Sequence, residues 1–138
     1  MQVIQKVLKL KSYPRGFHII TSEVESICKS TSIKNGTMNL FLQHTSASLT
    51  INENCDPSVR EDMENYLSDS VDNKPYYIHT YEGYDDMPAH IKSSLFGQSV
   101  TLPITNSKLN LGTWQGIYLG EHREHASGRT IIITIIGE

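Results

Sequence analysis

The stretch His44-Thr-Ser-Ala-Ser-Leu-Thr-Ile-Asn-Glu-Asn54 alternates polar and less polar residues. One parity carries only polar side chains, namely His44, Ser46, Ser48, Thr50 and Asn52. Because successive side chains of a strand point to opposite faces, the spacing predicts a strand with one polar face that carries a histidine. We take Ser46, Ser48 and Asn52 on that face as candidate substrate contacts. An ordinary half-buried strand, with its polar face in water, shows the same alternation.

The bulk properties of the chain exclude several classes of protein. The 138 residues, with 38% hydrophobic and 20% charged residues, suit one domain with a packed core. The net charge of −3 argues against a protein that coats nucleic acid. The two cysteines, Cys28 and Cys55, do not form a disulfide framework. The N-terminal residues do not resemble a signal peptide, and no segment is long enough to cross a bilayer. We therefore expect a cytoplasmic protein that contacts neither nucleic acid nor a membrane.

Hydrophobic periodicity and turn residues predict an α+β fold, with mixed or antiparallel β-sheets and two to three helices in a single domain, residues 1–138. Helices are expected from a capping box at Ser22, from Asp56-Pro57, and between Asp85 or Asp86 and Gly97. The third helix should bury Met87, Ile91 and Leu95. Strands are expected over residues 2–10, 17–20, 38–43, 44–54, 76–80, 98–104, 109–119 and 130–137.

Three features near the C-terminus carry specific expectations. The near-continuous apolar run at residues 130–137 predicts burial on both faces, in a sheet interior or at a subunit interface. The charged residues 121–129 before it are expected to form a hairpin loop. Gly112, Gly116 and Gly120 recur at every fourth residue, which indicates a bulge or a close approach by another group.

Three histidines are candidate metal ligands. His44 begins a predicted strand, His79 ends one, and His90 lies in the first turn of a predicted helix, where the helix field disfavours imidazolium. Three imidazoles with an open coordination position suit a catalytic metal such as zinc. The sequence has no local ligand motif such as H-E-x-x-H. For His122 and His125 we favour a solvated or anion-contacting role.

Several charged residues could complete such a site. Glu53, Asp85, Asp86 and Glu121 are candidate magnesium ligands or bases, although Asp85 and Asp86 also suit helix capping. Arg123 and Arg129 could bind a phosphate through forked donors, with Lys92 adding a point charge. A flexible charged turn accounts equally well for the two arginines. Trp114 and Tyr118 could stack on a heteroaromatic ring, with core packing as the alternative role.

Three blocks of sequence resemble the YjbQ family of small bacterial and archaeal proteins. They are the stretch at 44–54, Asp85-Asp-Met-Pro-Ala-His-Ile-Lys-Ser-Ser-Leu95 and Leu111-Gly-Thr-Trp-Gln-Gly-Ile-Tyr-Leu-Gly-Glu-His-Arg123. The resemblance extends over the full chain. It implies an α+β domain that forms a homotrimer, with sites near subunit boundaries. It also implies a secondary thiamine-phosphate synthase activity, in which a pyrimidine diphosphate and a thiazole phosphate join and pyrophosphate leaves.

The residue patterns and the family resemblance together suggest roles for individual residues. The metal, zinc or magnesium, is expected on His44, His79 and His90. The catalytic residues are expected to be His44, Glu53 and Glu121. Besides the three polar residues of the 44–54 stretch, substrate contacts are expected from Lys92, Trp114, Arg123 and Arg129. The alternatives are a metal-dependent hydrolase, a non-catalytic binder of a metal or metabolite, and a protein whose apolar last strand and glycine-spaced strand form a trimer interface and nothing more.

Overall fold

Eight strands and three helices make up the chain in a computed structural model that describes residues 1–138. In chain order they are β1 (Gln2–Lys9), β2 (Gly16–Ile19), α1 (Thr21–Lys29), β3 (Gly36–Leu42), β4 (Ala47–Glu53), α2 (Pro57–Val71), α3 (Asp86–Phe96), β5 (Ser99–Thr105), β6 (Lys108–Leu109), β7 (Gln115–Glu121) and β8 (Thr130–Gly137). The predicted α+β class is confirmed. The segment at 76–80, which was predicted to be a strand, lies in the irregular connection between α2 and α3.

The strands form two sheets. Five of them pair in the order β1-β8-β3-β5-β6, and three pair in the order β2-β7-β4. Every strand pairing is antiparallel. The last strand, β8, lies between β1 and β3, so the prediction that it occupies a sheet interior is confirmed.

The two sheets pack face to face, and α2 and α3 cover the outer side of the smaller sheet. The main core joins Ile131, Ile133 and Ile135 of β8 to Leu49, Ile117 and other residues of the small sheet. A second cluster on the far side of the small sheet joins β2 and β7 to α2 through Phe17, Tyr118, Leu67 and Val71. The small sheet is therefore the middle layer, with side chains buried on both sides.

This layering corrects two expectations about the C-terminal region. The strand that is buried on both faces is β7, in which every residue after Gln115 is buried. Strand β8 buries alternate residues only, because the outer face of the large sheet has no covering layer, and Ile136 is exposed. Residues 121–129 do not form a hairpin, because β7 and β8 belong to different sheets.

The helix signals in the sequence had mixed outcomes. The Asp56 carboxylate accepts a hydrogen bond from the Ser58 N–H at 2.9 Å, which confirms the predicted start of α2. The capping box at Ser22 is wrong, because α1 has no side-chain cap and the Ser22 hydroxyl donates to Glu23. In α3 the predicted buried stripe is also wrong, since Leu95 is 65% exposed while the charged Asp86 and Lys92 are buried.

The stretch at 44–54 is only partly a strand. Strand β4 begins at Ala47, so His44 and Ser46 lie in the bend between β3 and β4. Ser48 is fully buried, whereas Asn52 is exposed. The predicted common polar face is therefore wrong, because a bend separates its first members from the strand and burial separates the rest. No helix of the fold has the length and hydrophobicity that crossing a membrane requires.

Candidate metal centre and adjoining pocket

Two histidines and an aspartate converge at the start of α3. His79 comes from the irregular segment before the helix, Asp86 is the first helical residue, and His90 follows one turn later. The Nε2 atoms of His79 and His90 lie 2.9 and 3.3 Å from the same oxygen, Asp86 Oδ2. Their potential ligand atoms all lie within 4.8 Å of one another. The fold thus assembles a two-histidine, one-carboxylate set from one segment of twelve residues, His79 to His90.

The orientation of the His90 ring follows from its second nitrogen. Nδ1 lies 2.8 Å from the carbonyl oxygen of Thr45, which can only accept a hydrogen bond, so Nδ1 carries the proton. In the neutral ring Nε2 then presents a lone pair to Asp86 Oδ2, itself a hydrogen-bond acceptor. That oxygen is buried, and neither of its contacts with the two imidazoles has the geometry of a hydrogen bond. Two acceptors that face each other need a proton or a cation between them, and a metal-bound histidine typically has this backbone-anchored geometry.

The other oxygen of the same carboxylate is held by an arginine. Arg123 Nη1 donates to Asp86 Oδ1 at 2.8 Å, and Arg123 Nε donates to Asp85 Oδ2 at 3.0 Å. Burial tends to raise the pKa of Asp85, but the N–H of Glu124 and the Arg123 guanidinium bring it below its ordinary value. Each nitrogen of the Arg123 guanidinium thus donates one hydrogen bond, and Nη2 donates to the Glu82 carbonyl. Its expected role as a phosphate contact is replaced by one of orienting Asp86.

The distances and the donor types fit a transition-metal ion. For ligand atoms about 2.1 Å from a metal, neighbouring ligands are about 3.0 Å apart in an octahedron and about 3.4 Å apart in a tetrahedron. The two distances to Asp86 Oδ2, 2.9 and 3.3 Å, fall close to these values. Two imidazole nitrogens suit zinc and similar ions, whereas magnesium prefers oxygen ligands. Of the two metals that the sequence suggested, the donor set therefore favours zinc.

An open pocket of about 650 Å³ adjoins this cluster. His90 belongs to both, since its ring lines the pocket and its Nε2 faces Asp86. The bend before β4 contributes His44, Thr45 and Ser46 to the pocket wall, and Arg129 contributes its guanidinium. The volume is within the usual range for sites that bind small molecules.

Arg129 reaches the pocket through a buried ion pair. Its Nε and Nη2 donate to the two oxygens of Glu121 at 2.7 and 2.6 Å, and Nη2 also donates to the Ser46 hydroxyl at 3.0 Å. Glu121 is fully buried and both its oxygens are occupied. The structure thus places Glu121, predicted as a catalytic residue, behind Arg129, where both carboxylate oxygens accept hydrogen bonds from that side chain.

His44 lines the pocket and lies outside the metal cluster. Its Nε2 accepts a hydrogen bond from the Thr130 N–H at 2.8 Å, and its Nδ1 lies 3.3 Å from Arg129 Nη1. Burial and the positive charge of Arg129 lower the pKa of His44, against an opposing effect of Glu121. Both ring nitrogens are thus faced by donors. The expectation that His44 is a metal ligand is wrong for this fold, and Asp86 lies where the third ligand was expected.

A further histidine, His122, forms a buried pair with Ser48 and lies against the rings of Phe17 and Phe96. The Ser48 hydroxyl is 2.8 Å from His122 Nε2, and both residues are almost completely inaccessible. Burial lowers the pKa of His122 to about 3, assisted by the positive charges of Lys92, Arg129 and Arg15. Neither residue reaches solvent. The expected substrate contact of Ser48 and the solvated or anion-contacting role of His122 are therefore both wrong.

Lys92 does not reach the pocket either. Its ammonium group is fully buried, and Nζ lies 2.8 Å from Asp72 Oδ1. Asp72 also pairs with Arg15, which in turn donates to Glu64 at 2.9 Å. This chain of charges joins α2, α3 and the start of β2. Lys92 therefore stabilises helix packing, and its expected role as a phosphate contact is contradicted.

Three predicted site residues lie at the opposite end of the small sheet. In the β4–β7 pairing, Glu53 is opposite Gln115, whereas Ala47 is opposite Glu121. Six residues of strand separate these ends by about 20 Å. Asn52, Glu53 and Trp114 instead line a shallow hollow of their own. Their expected roles in catalysis or substrate binding beside the histidines are therefore wrong.

Asp86 is the functional residue that the ligand assignment missed. The sequence marked it as a candidate cap or magnesium ligand, but did not group it with His79 and His90. Asp86 and His90 are four residues apart on α3, and residues with this spacing share one face of a helix. That spacing is the signal that could have identified the pair. The contact of His90 with the Thr45 carbonyl had no signal in the sequence.

The fold and the site define a single-domain α+β protein in which potential metal ligands lie beside an open pocket. A family model described as "UPF0047 protein YjbQ-like" matches residues 6–138. The UPF0047 protein YjbQ of Salmonella typhimurium is 52% identical over 135 residues, which cover 97% of this chain and 98% of that protein. The UPF0047 protein YugU of Bacillus subtilis is 38% identical over 133 residues, which cover 96% and 98%.

Solved structures agree with this assignment. A YjbQ/UPF0047 family protein from Clostridium acetobutylicum matches with a TM-score of 0.83 and 37% identity, over 96% of this chain and 99% of that chain. A YbjQ-like protein from Sulfolobus solfataricus matches with a TM-score of 0.89 and 27% identity, over 99% of both chains. The chain belongs to the YjbQ/UPF0047 family.

Proposed function

We propose that the protein is a metal-dependent enzyme that acts on a phosphorylated small molecule bound in the pocket beside His90. One observation carries this proposal. The buried oxygen Asp86 Oδ2 faces the Nε2 atoms of two histidines, and neither contact has the geometry of a hydrogen bond. Arg123 compensates the charge of this carboxylate at Oδ1, but a buried Oδ2 without a hydrogen bond is costly unless a proton or a cation lies between it and the imidazoles. The metal is taken to be zinc or a similar transition ion.

His79, Asp86 and His90 would hold the ion through three protein atoms. An ion with three protein ligands keeps a position open, where it supplies Lewis acidity or a bound water of lowered pKa. The carbonyl of Thr45 keeps His90 in the required tautomer. Arg123 keeps Asp86 Oδ1 engaged, so that Oδ2 remains directed at the two histidines.

The family resemblance suggests which reaction to test first. In the thiamine-phosphate synthase reaction, the thiazole nitrogen forms a bond to the methylene carbon of the pyrimidine diphosphate, and the carbon–oxygen bond to pyrophosphate breaks. The negative charge that develops on the leaving group needs stabilisation by cations or hydrogen-bond donors. The chain would supply it from the pocket wall formed by His44, Ser46 and Arg129. This reaction would make the protein a transferase.

Hydrolysis of a phosphate ester is the second candidate. The observation in its favour is the ligand set itself, because two histidines and one carboxylate with an open position also occur in zinc hydrolases. In that reaction water attacks the phosphorus atom, the phosphorus–oxygen bond to the alcohol breaks, and the alcohol leaves with the proton that the water gives up. The pocket contacts would be the same in both reactions.

The first experiment measures metal binding, with activity as the second readout. Metal-free protein is titrated with zinc in a calorimeter, alongside His90→Ala and the control His125→Ala, whose imidazole lies outside the cluster. We expect one site per chain in the wild type and the control, and none in His90→Ala. The condensation and ester hydrolysis are then assayed with and without chelator. Zinc binding that persists unchanged in His90→Ala would refute the metal centre.

We also infer a homotrimer, as the family resemblance implies. The outer face of the large sheet supports an assembly of this kind, because Val3, Val7, Phe41 and Ile136 are exposed there. Between them runs an uncharged row that includes Gln5 and Thr134, joined by a hydrogen bond of 3.1 Å. Exposed apolar side chains that flank an uncharged polar row are typical of contacts between subunits. Light scattering of the purified protein tests the inference directly.

A further inference from the structure

Three hydrogen-bond donors without an acceptor converge on the wall of the pocket. The first is His44 Nδ1. Because the Thr130 N–H donates to Nε2 at 2.8 Å, Nε2 must be unprotonated, and the proton of the neutral ring lies on Nδ1. The nearest polar atom to Nδ1 is Arg129 Nη1 at 3.3 Å. Arg129 Nη1 is the second donor, because guanidinium nitrogens only donate. Two N–H groups therefore face the same space.

The third donor is the hydroxyl of Ser46. Its oxygen accepts a hydrogen bond from Arg129 Nη2 at 3.0 Å, which leaves its own proton free to donate. Arg129 itself is only 7% exposed and is held by Glu121 on its far side. The position of the guanidinium is thus set before any ligand arrives, so little ordering entropy is lost when one binds.

The pocket and the metal cluster lack partners of opposite charge. The cluster presents acceptors that lack a cation, and the pocket wall presents donors that lack an anion. The two are directly joined, because Thr45, whose carbonyl accepts from His90, lies between His44 and Ser46. One ligand that carries negative charge can therefore contact both.

We propose that His44 Nδ1, Arg129 Nη1 and the Ser46 hydroxyl form an oxyanion subsite that binds a terminal phosphate group of the substrate. The proposal rests on the proposed function for the statement that the ligand is a substrate, but the subsite itself does not require the metal. A tetrahedral phosphate offers several acceptor oxygens to converging donors, whereas a carboxylate offers two. The role of His44 is then that of a neutral donor, with neither metal ligation nor proton abstraction.

The test uses a pair of variants that separate the two nitrogens of His44. In His44→Gln the amide oxygen can replace Nε2 as the acceptor for Thr130, but no donor remains at the position of Nδ1. In His44→Asn the amide N–H can replace the Nδ1 donor. Inorganic phosphate is titrated into each protein by calorimetry, and acetate is titrated in parallel as a carboxylate probe.

Phosphate binding should weaken about tenfold to a hundredfold in His44→Gln, as expected for loss of a hydrogen bond to a charged group. His44→Asn should retain most of it. Equal phosphate affinity in the wild type and His44→Gln would overturn the subsite, as would a stronger response to acetate than to phosphate. A second readout is the ¹⁵N NMR spectrum of His44, which should show a protonated Nδ1 whose shift changes with phosphate.

Zinc titration of the same variants keeps this inference separate from the proposed function. His44→Gln should bind zinc like the wild type, because His44 lies outside the ligand cluster. If the wild type binds phosphate but no zinc, the metal-dependent function fails and the subsite stands. If it binds zinc but no phosphate in either the metal-free or the zinc-loaded form, the subsite fails and the metal centre stands.

Discussion

Lowering the pH from 7 to 5 should destabilise the fold through one buried imidazole. His122 is 1% exposed, its Nδ1 has no hydrogen-bond partner, and its pKa lies near 3 in the folded state, against an ordinary value of 6.5. Because the folded pKa lies below the unfolded one, the unfolded chain binds the proton first. The stability that this group contributes is complete above pH 6.5 and is lost as the pH falls towards 3.

The size of the effect follows from the two pKa values. Between pH 6.5 and pH 5, an interval of about 1.5 pH units, the imidazole is protonated in the unfolded chain and unprotonated in the folded one. Each unit corresponds to about 1.4 kcal/mol, so the free energy of unfolding should fall by about 2 kcal/mol. The lowered pKa of His44 adds a loss in the same pH range, and the wild type and the His122 variant share it. The depressed pKa values of Asp72 and Asp85 act at lower pH, since both lie below the ordinary value of 3.8.

Urea unfolding at pH 5, 6 and 7 measures this loss. His122→Gln removes the titrating group but keeps an acceptor for the Ser48 hydroxyl, and His125→Gln is the matched control on the same loop. The wild type and the control should lose about 2 kcal/mol more than His122→Gln between pH 7 and pH 5. Parallel stability curves for the wild type and His122→Gln would show that the imidazole is not excluded from protonation, and the reasoning would be wrong.

Three further predictions address other parts of the molecule. Arg123→Gln should weaken zinc binding by about tenfold to a hundredfold in calorimetry, because Asp86 loses the donor that orients it; unchanged affinity would show that the carboxylate is positioned without it. Gly120→Ala should lower the free energy of unfolding by about 1–3 kcal/mol, because a Cβ there would overlap the Ser48 hydroxyl, and a urea midpoint equal to that of the wild type contradicts this. If the protein forms the proposed trimer through the outer face of the large sheet, Val7→Lys should give monomers in light scattering without loss of fold, and an assembly that persists in this variant would place the interface elsewhere.

Local signals in the sequence predicted most of the elements. Asp56-Pro57 started a helix because the cap and the fixed proline angle act within a few residues. The alternating N-terminus became β1, and the apolar run at 130–137 became an interior strand. These outcomes depend on neighbours in sequence or on a simple period. The family resemblance was carried by three long blocks, which the family model confirms over residues 6–138.

The predictions of which residues are buried failed for one reason. Burial depends on what packs against an element. Helix α3 exposes Leu95 and buries Lys92, because Asp72 of the α2 terminus supplies a partner for the ammonium group. Strand β7 is buried on both faces because it lies in the middle layer, although its glycines do not suggest a core strand. Neither outcome can be read from periodicity, since the partner comes from a distant part of the chain.

The candidate site was likewise predicted only in part from the sequence. The sequence by itself determined that histidines, carboxylates and arginines were present in number, and it identified His79, His90 and Arg129 as candidates. Only the tertiary structure decided their grouping. It placed Asp86 with the two histidines, paired Arg129 with Glu121, and moved Glu53 and Trp114 to the far end of the small sheet. The physical reason is that hydrogen bonds and ion pairs act over a few ångströms, and the distances between side chains from separate elements are set by how the layers pack.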